Sequence, residues 1–583
     1  MKKFISVLFS LLSLSLTLLT NGCAVRQDSA LSFSEYTDRL FVNELKQDTL
    51  SMHYTVRDPA SYGITDYQPS LPDYSPQNQE TQLSIQENIA YALNSYDPDE
   101  LDLQERITYD ILADSYTSGS DTDTSLYAEI LRPSTGFSAQ LPVLFAEYSF
   151  YCEQDIKDYL LLLQKMPDCF ASICEYETEK SAAGLFMSDR QADRLISDIN
   201  ALCETSKKHY LLETFEKKID ALDFLTAIEK KDYISENETY FYQFFLPSYQ
   251  MLADCLSELK GSGTNDAGLC YFPNGAEYYA NLVYQSTGSS HTVDELLDMV
   301  EARRTTDISA MAKLLAKYPD ISLEPTDYAY KDASPEEILA HLTDCIGDSF
   351  SPPVSTDFTV NYVDDCMQES MAPAFYLTAP IDAVDQNVIY INPSAGYDGI
   401  SLFTTLAHEG YPGHLYQTTK TASAELPVIR NLLNYPGYVE GWATYVELLS
   451  YSYAGLPEEQ AAFLMHNQSA ILSLYATADL SIHAKGWTLG DTISFFSDYG
   501  ISDAATVTEI YYYIVSEPAH YLKYYIGYLE FLNLKAYAQK ELGDSYTDQW
   551  FHDAVLSIGP APFEIIRRYL PDFAAGSDIP PAC

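Results

Sequence analysis

Two histidines, with a glutamate directly after the first, stand in the stretch Thr405-Leu406-Ala407-His408-Glu409-Gly410-Tyr411-Pro412-Gly413-His414-Leu415-Tyr416. Imidazoles grip a zinc ion, and a carboxylate beside them can take a proton from an attacking water. These residue types in this order point to a zinc hydrolase, with His408 and His414 as metal ligands and Glu409 as general base. The spacing is unusual. The familiar pattern is H-E-x-x-H, with both histidines on one helix face. Here Pro412 holds the fourth position after His408, and the second histidine comes at the sixth. On an unbroken helix the sixth position lies roughly 120° around the axis and about 9 Å along it, so the two imidazoles could not share an ion. Proline removes a helical donor and glycine accepts distorted dihedrals, so Pro412-Gly413 is suited to interrupting the helix. The expectation is a two-residue bulge that carries His414 into the place of the missing ligand. The competing reading is a helix stop at Pro-Gly with two incidental histidines.

A catalytic zinc site takes three protein ligands and keeps one position open. The third is sought in Tyr438-Val439-Glu440-Gly441-Trp442-Ala443-Thr444-Tyr445-Val446-Glu447. Glu440 and Glu447 are seven apart and project from one helix face. Their neighbours are too apolar for an exposed helix, and a buried carboxylate needs a partner. Glu440 is assigned as ligand and Glu447 as the acceptor that orients a histidine, with the reverse order as the alternative.

These motifs carry a resemblance. Glu440-Gly441-Trp442-Ala443-x-Tyr445 resembles the third-ligand helix of the gluzincin metallopeptidases. More closely, H-E-x-x-P-G-H followed by E-G-W-A-x-Y-x-E resembles a bacterial family labelled domain of unknown function 885, grouped with the zinc metallopeptidases. The likeness runs from about Tyr271 to the C-terminus and more weakly into the N-terminal half. Its further landmarks are Pro373-Ala374-Phe375-Tyr376, the segment from Asp479 to Trp487, Tyr524-Tyr525-Ile526-Gly527 and Phe551-His552-Asp553. Where Leu415 stands, many members carry another histidine, which cannot be a required ligand if this chain is active. The resemblance implies a zinc peptidase fold and names no substrate. It makes Tyr524 the first choice, and His483 the next, for the donor that an oxyanion needs during peptide hydrolysis. It also implies that a sheet edge beside the metal pairs with an extended substrate backbone.

The elements that must position these residues are mostly helical. Apolar residues recur at spacings of three and four over long windows on both sides of the motif. Thr292-Val293-Asp294-Glu295 is a helix-start signature. Phe375 to Thr378 and Asn387 to Asn392, rich in aromatic and β-branched residues, are the strand candidates. The expected fold is mainly α: a large helical protein with a small β-sheet beside a zinc-peptidase-like active-site helix pair.

At 583 residues the chain can bury a large core. Its 33 basic and 84 acidic residues leave a net charge of -51, which argues against nucleic acid as a partner. Met1-Lys2-Lys3 and the apolar run Phe4 to Leu19 read as a signal peptide over residues 1–22. Leu19-Thr20-Asn21-Gly22-Cys23 then resembles a bacterial lipobox, with Cys23 lipidated and the mature protein membrane-anchored outside the cytoplasm; ordinary cleavage is the alternative. The expected organisation is a lipid-anchored N-terminal segment (23–83), a helical scaffold (84–260) and a metallopeptidase-like catalytic region (269–583). The glycine-rich stretch 261–268 is the expected flexible connector. Pairing among the ten cysteines cannot be deduced from their spacing.

The function expected from these residues is zinc-dependent hydrolysis of peptide bonds in short extracellular peptides. Two alternatives stand beside it: a non-catalytic peptide- or ligand-binding surface lipoprotein, and a zinc hydrolase of non-peptide amides.

Overall fold

The structure, a computed structural model, describes residues 31–117, 122–204, 208–325, 328–354, 358–363, 368, 374–395 and 399–573. The predicted leader, Cys23 and Pro373 lie outside the described residues. Helices dominate, with one small sheet, so the mainly α expectation holds. The strands are β1 (Phe358–Tyr362), β2 (Ala374–Leu377) and β3 (Asn387–Ile391), in spatial order β1-β3-β2. β3 runs parallel to β1 and antiparallel to β2, with Tyr376 opposite Ile389. The two predicted strands are therefore the antiparallel pair, and β2 is an edge. β1 is an addition. It buries only parts of Phe358 and Val360 against the core, which leaves a weak apolar signature.

The first described helix, Phe33–Leu45, starts with a capping box between Ser32 and Glu35. Its Phe33, Leu40 and Phe41 pack with Leu93 and Leu112, and with Ile429 and Leu432 from far downstream. The 31–83 segment is thus integral to the fold. The scaffold centres on the long helix Glu153–Ala182, packed against Leu246–Leu259. Its core includes Phe170, Phe245 and Tyr249, and also Phe375 of β2. The scaffold and the C-terminal half therefore share buried surface. The thiols of Cys174 and Cys255 meet between these two helices.

The connector at 261–268 is closely packed. A Cβ on Gly263 would stand 2.3 Å from the Met187 carbonyl oxygen, and one on Gly268 would stand 1.9 Å from that of Ile482. Thr264 Oγ1 also donates to the Gly184 carbonyl at 2.7 Å. Glycine here permits close backbone approach instead of freedom of movement.

Two helices of the C-terminal half cross with almost nothing between them. These are Pro436–Ser450 and Leu522–Leu542. A Cβ on Gly441 would lie 2.4 Å from the Gly527 carbonyl carbon, and one on Gly527 would lie 2.1 Å from the Gly437 oxygen. The crossing brings the Glu440 turn of one helix against the first turn of the other, which carries Lys523 and Tyr524. Among the described residues, no helix is long and apolar enough to cross a membrane.

Candidate metal centre

The helix Gly399–Glu409 ends at the motif, and a new helix, His414–Ala422, begins at the second histidine. The expected two-residue bulge is instead a full break between two helices, with residues 410–413 forming the turn. The Tyr411–Pro412 peptide is cis. The turn folds back so tightly that a Cβ on Gly413 would stand 1.8 Å from the His408 carbonyl oxygen and 2.4 Å from that of Ala407. Trp442 Nε1 donates to the Pro412 carbonyl at 2.9 Å and pins the turn to the Glu440 helix. The imidazoles of His408 and His414 come within 4.8 Å, centroid to centroid, at 83° to one another.

Glu440 completes the group. Its Oε2 lies 3.6 Å from His408 Nε2 and 3.4 Å from His414 Nε2. One ligand atom from each of the three residues lies within 4.8 Å of the others, and all three residues are buried. Glu447 sits on the other side of His408, with its Oε2 2.9 Å from Nδ1. A carboxylate only accepts, so Nδ1 carries a hydrogen, and Nε2, which faces Glu440 and His414, is the nitrogen that would meet a metal. The geometry thus separates the two carboxylates: Glu440 faces the cluster and Glu447 orients a histidine.

The residues fit a cation. His408 Nε2 and both oxygens of Glu440 are buried without a hydrogen-bond partner, a costly arrangement unless an ion satisfies them. Two imidazole nitrogens and a carboxylate, with room for a fourth ligand, are a donor set that suits zinc and other divalent transition metals.

The electrostatics agree. Burial acts to lower the His408 pKa, but Glu440, Glu447 and Glu409 outweigh it and raise it to about 10. Burial acts to raise the Glu440 carboxyl, but the Lys523 ammonium and the two histidines hold it well below the usual carboxylate range. Lys523 Nζ is 3.5 Å from Glu440 Oε1. Glu409 is pushed up by burial, against the pull of both histidines and the Tyr376 amide. Three carboxylates around His408 draw positive charge into a dry pocket.

Glu409 follows the first ligand and turns toward the sheet. Its Oε2 accepts the Tyr376 N–H at 2.9 Å, while Oε1 is buried and unpartnered. That N–H comes from the free edge of β2, so the edge and the carboxylate adjoin. Tyr524 also reaches this region. Its hydroxyl is buried without a partner, and burial, with the Glu440 and Glu409 charges, pushes its pKa well above the usual phenol value.

His483 does not join them. Its Nδ1 accepts from the Leu269 N–H at 3.2 Å, its Nε2 lies 2.9 Å from the Ile514 carbonyl, and its ring stacks on Tyr279. Both ring nitrogens are committed to backbone, so the expectation of a catalytic His483 is replaced by a structural role. His552 is structural too, held between the Ser349 carbonyl at 2.7 Å and the Tyr445 hydroxyl at 3.0 Å. Sequence reasoning missed Lys523 as the counter-charge to Glu440. Its signal was its place beside Tyr524, at the start of the apolar first half of its helix.

Fold and site together define a mainly helical protein with a buried His-His-Glu group able to hold a metal ion. The chain belongs to the family described as "Bacterial protein of unknown function (DUF885)", whose model matches residues 59–570. Two solved structures are similar. A "putative lipoprotein" from Colwellia psychrerythraea superposes with a TM-score of 0.80 at 21% identity, covering 93% of this chain and 99% of that one. A "putative lipoprotein of unknown function" from Shewanella oneidensis has a TM-score of 0.64 at 17% identity, covering 93% of this chain and 100% of that one. No curated protein matches the sequence.

Proposed function

We propose that this protein is a gluzincin-like zinc metallopeptidase that cleaves short peptides outside the cytoplasm, tethered to a membrane by lipid on Cys23. The observation that carries the reading is Glu409. Its Oε1 is free and buried, and the residue directly follows a ligand of a three-donor cluster. A purely structural metal site has no use for such a base. The tether rests on the lipobox-like Leu19-Thr20-Asn21-Gly22-Cys23 and on the lipoprotein descriptions of the two similar structures.

A zinc ion bound to His408, His414 and Glu440 supplies Lewis acidity toward a carbonyl oxygen and lowers the pKa of water. The chain supplies the rest. Glu409 Oε1 takes a proton from the attacking water and returns it to the leaving amine. The Tyr376 N–H fixes the carboxylate for that task through Oε2. The Tyr524 hydroxyl, with no partner of its own, donates to the oxygen that becomes negative. The edge of β2, unpaired with another strand among the described residues, would align an extended peptide through backbone groups other than the Tyr376 N–H, which Glu409 holds. Glu447 keeps the hydrogen of His408 on Nδ1.

The test is metal analysis of the purified chain together with a mixed peptide library read by mass spectrometry, with Glu409→Gln as control. One zinc per chain, and cleavage that Glu409→Gln lowers by about 10²-fold or more, is expected. A chain that takes up no zinc, or that cuts only non-peptide amides, overturns the reading.

A further inference from the structure

A cavity of about 600 Å³ adjoins the metal centre, and Lys523 belongs to both. Such a volume suits a small ligand the size of a short peptide. Its charged lining is uneven. The cations Arg132 and Lys523 line it, as do Asp73, Asp114 and Glu129; His520 lines it too, but burial lowers its pKa to about 4 and leaves it neutral. The acids have partners of their own, and one of them is paired with a cation. Glu129 pairs with Lys180 at 2.6 Å, Asp114 accepts from the Tyr284 hydroxyl at 2.7 Å, and Asp73 accepts from the Ser75 amide at 2.8 Å.

The cations are not committed in that way. Arg132 Nε is buried without a hydrogen-bond partner. Among the described residues, no carboxylate pairs with its guanidinium. The neighbouring Glu517 carboxylate is taken up by Ser134 and Thr135, whose amides and hydroxyls it accepts at 2.6–3.2 Å. Glu517 therefore anchors the turn just beyond Arg132; the Arg132 charge helps to lower its pKa, but among the described residues it makes no ion pair with the guanidinium. Lys523 is buried too, and among the described residues its Nζ pairs with one carboxylate, Glu440 at 3.5 Å. The Lys523 ammonium lies in the first turn of Leu522–Leu542, where the helix dipole adds to its field. In a chain with a net charge of -51, two under-partnered cations in one cavity form an unusual place. Both act on His520, so an anion at that end of the cavity would meet the charge of each.

We infer that the Arg132–Lys523 end of this cavity binds the terminal carboxylate of a short peptide, so that the substrates are peptides with a free C-terminus, cut close to that end. The inference rests on the peptidase reading and narrows it. Lys523 touches the ligand Glu440, so an anion anchored there holds the last residues of the peptide beside the metal centre. A guanidinium pairs with a carboxylate by two parallel hydrogen bonds, which a C-terminal amide cannot match.

The test compares N-acetyl-dialanine with its C-terminal amide in calorimetry on the full, chelator-treated chain, wild type and Arg132→Gln. A longer peptide, as free acid and as amide, is compared in hydrolysis by the zinc-loaded chain. The acid is expected to bind about tenfold or more tightly than the amide, with that preference falling below about threefold in Arg132→Gln and returning in part in Arg132→Lys. Equal binding of acid and amide by the wild type, or binding of neither, overturns the inference, and neither result needs a variant to fold. Hydrolysis of acid and amide at equal rates also overturns it while leaving the peptidase reading intact. Acid-selective binding without any hydrolysis supports the carboxylate site and counts against the peptidase.

Discussion

Replacing Gly413 by alanine would put a methyl carbon 1.8 Å from the carbonyl oxygen of His408 and 2.4 Å from that of Ala407. Ordinary contact between such atoms is about 3.5 Å, so the backbone must open by more than an ångström. The obstacle is main chain, and no side chain can swing aside. Relief therefore separates the last turn of Gly399–Glu409 from the first turn of His414–Ala422, the two turns that carry the histidines. Metal coordination tolerates displacements of only about 0.2 Å. The expected result is loss of metal binding by about 10²-fold or more, with a stability cost of about 2–4 kcal/mol from overpacking. Zinc titration against a competing chelator and thermal unfolding of the metal-free chain would measure the two effects separately. Gly347→Ala is the control. Nothing lies within 4 Å of its added Cβ, so it should change stability by less than about 0.5 kcal/mol. A Gly413→Ala protein that binds one zinc with wild-type affinity would refute the claim that this turn builds the site.

Three further outcomes are expected. Glu447→Gln removes the carboxylate that fixes the His408 Nδ1–H at 2.9 Å, and should weaken zinc binding about 10–100-fold without abolishing it; an unchanged dissociation constant would count against its orienting role. Glu44 is buried in the first helix with one oxygen unpartnered, and burial raises its carboxyl from 4.5 to about 8. The native state therefore keeps a proton that the unfolded chain releases, so this group makes stability fall as pH rises from about 4.5 to about 8. Glu44→Gln should match wild type near pH 4.5 and exceed it at pH 8, by up to about 4 kcal/mol before local relaxation; equal unfolding curves at both pH values would remove the argument. The Cys174 and Cys255 thiols meet between two packed helices, so mild oxidation of the folded chain should link them, detectable as a cross-linked peptide pair by mass spectrometry. Linkage of Cys174 to Cys169 or Cys203 instead would contradict the packing.

The possible metal group was legible in the sequence where residue type alone restricts the choice. His408, His414 and Glu440 could be named because few other roles use that set, and β2 and β3 because β-branched and aromatic residues cluster there. The form of the helix interruption was not legible. Pro412-Gly413 announces a break, but the number of residues that leave the helix depends on Gly413 meeting the backbone of His408 and on Trp442 holding the Pro412 carbonyl. His483 was misplaced because its partners, Leu269 and Ile514, come from distant parts of the chain. Lys523 was passed over for the same reason, since Glu440 lies far upstream. The glycines of 261–268 read as freedom of movement, yet glycine serves equally where two backbones must touch, and composition does not tell these uses apart.

The bare crossing at Gly437, Gly441 and Gly527 works like an axle pressed into its hub. With main chain against main chain there is no cushion of side chains to deform, so the two helices cannot slip past one another by a turn. The backbone positions from which Glu440 and Lys523 project are then fixed relative to one another. If the cavity changes shape around a ligand, the movement falls to its other walls, which include Asp73, Gln82, Glu129 and Gln140.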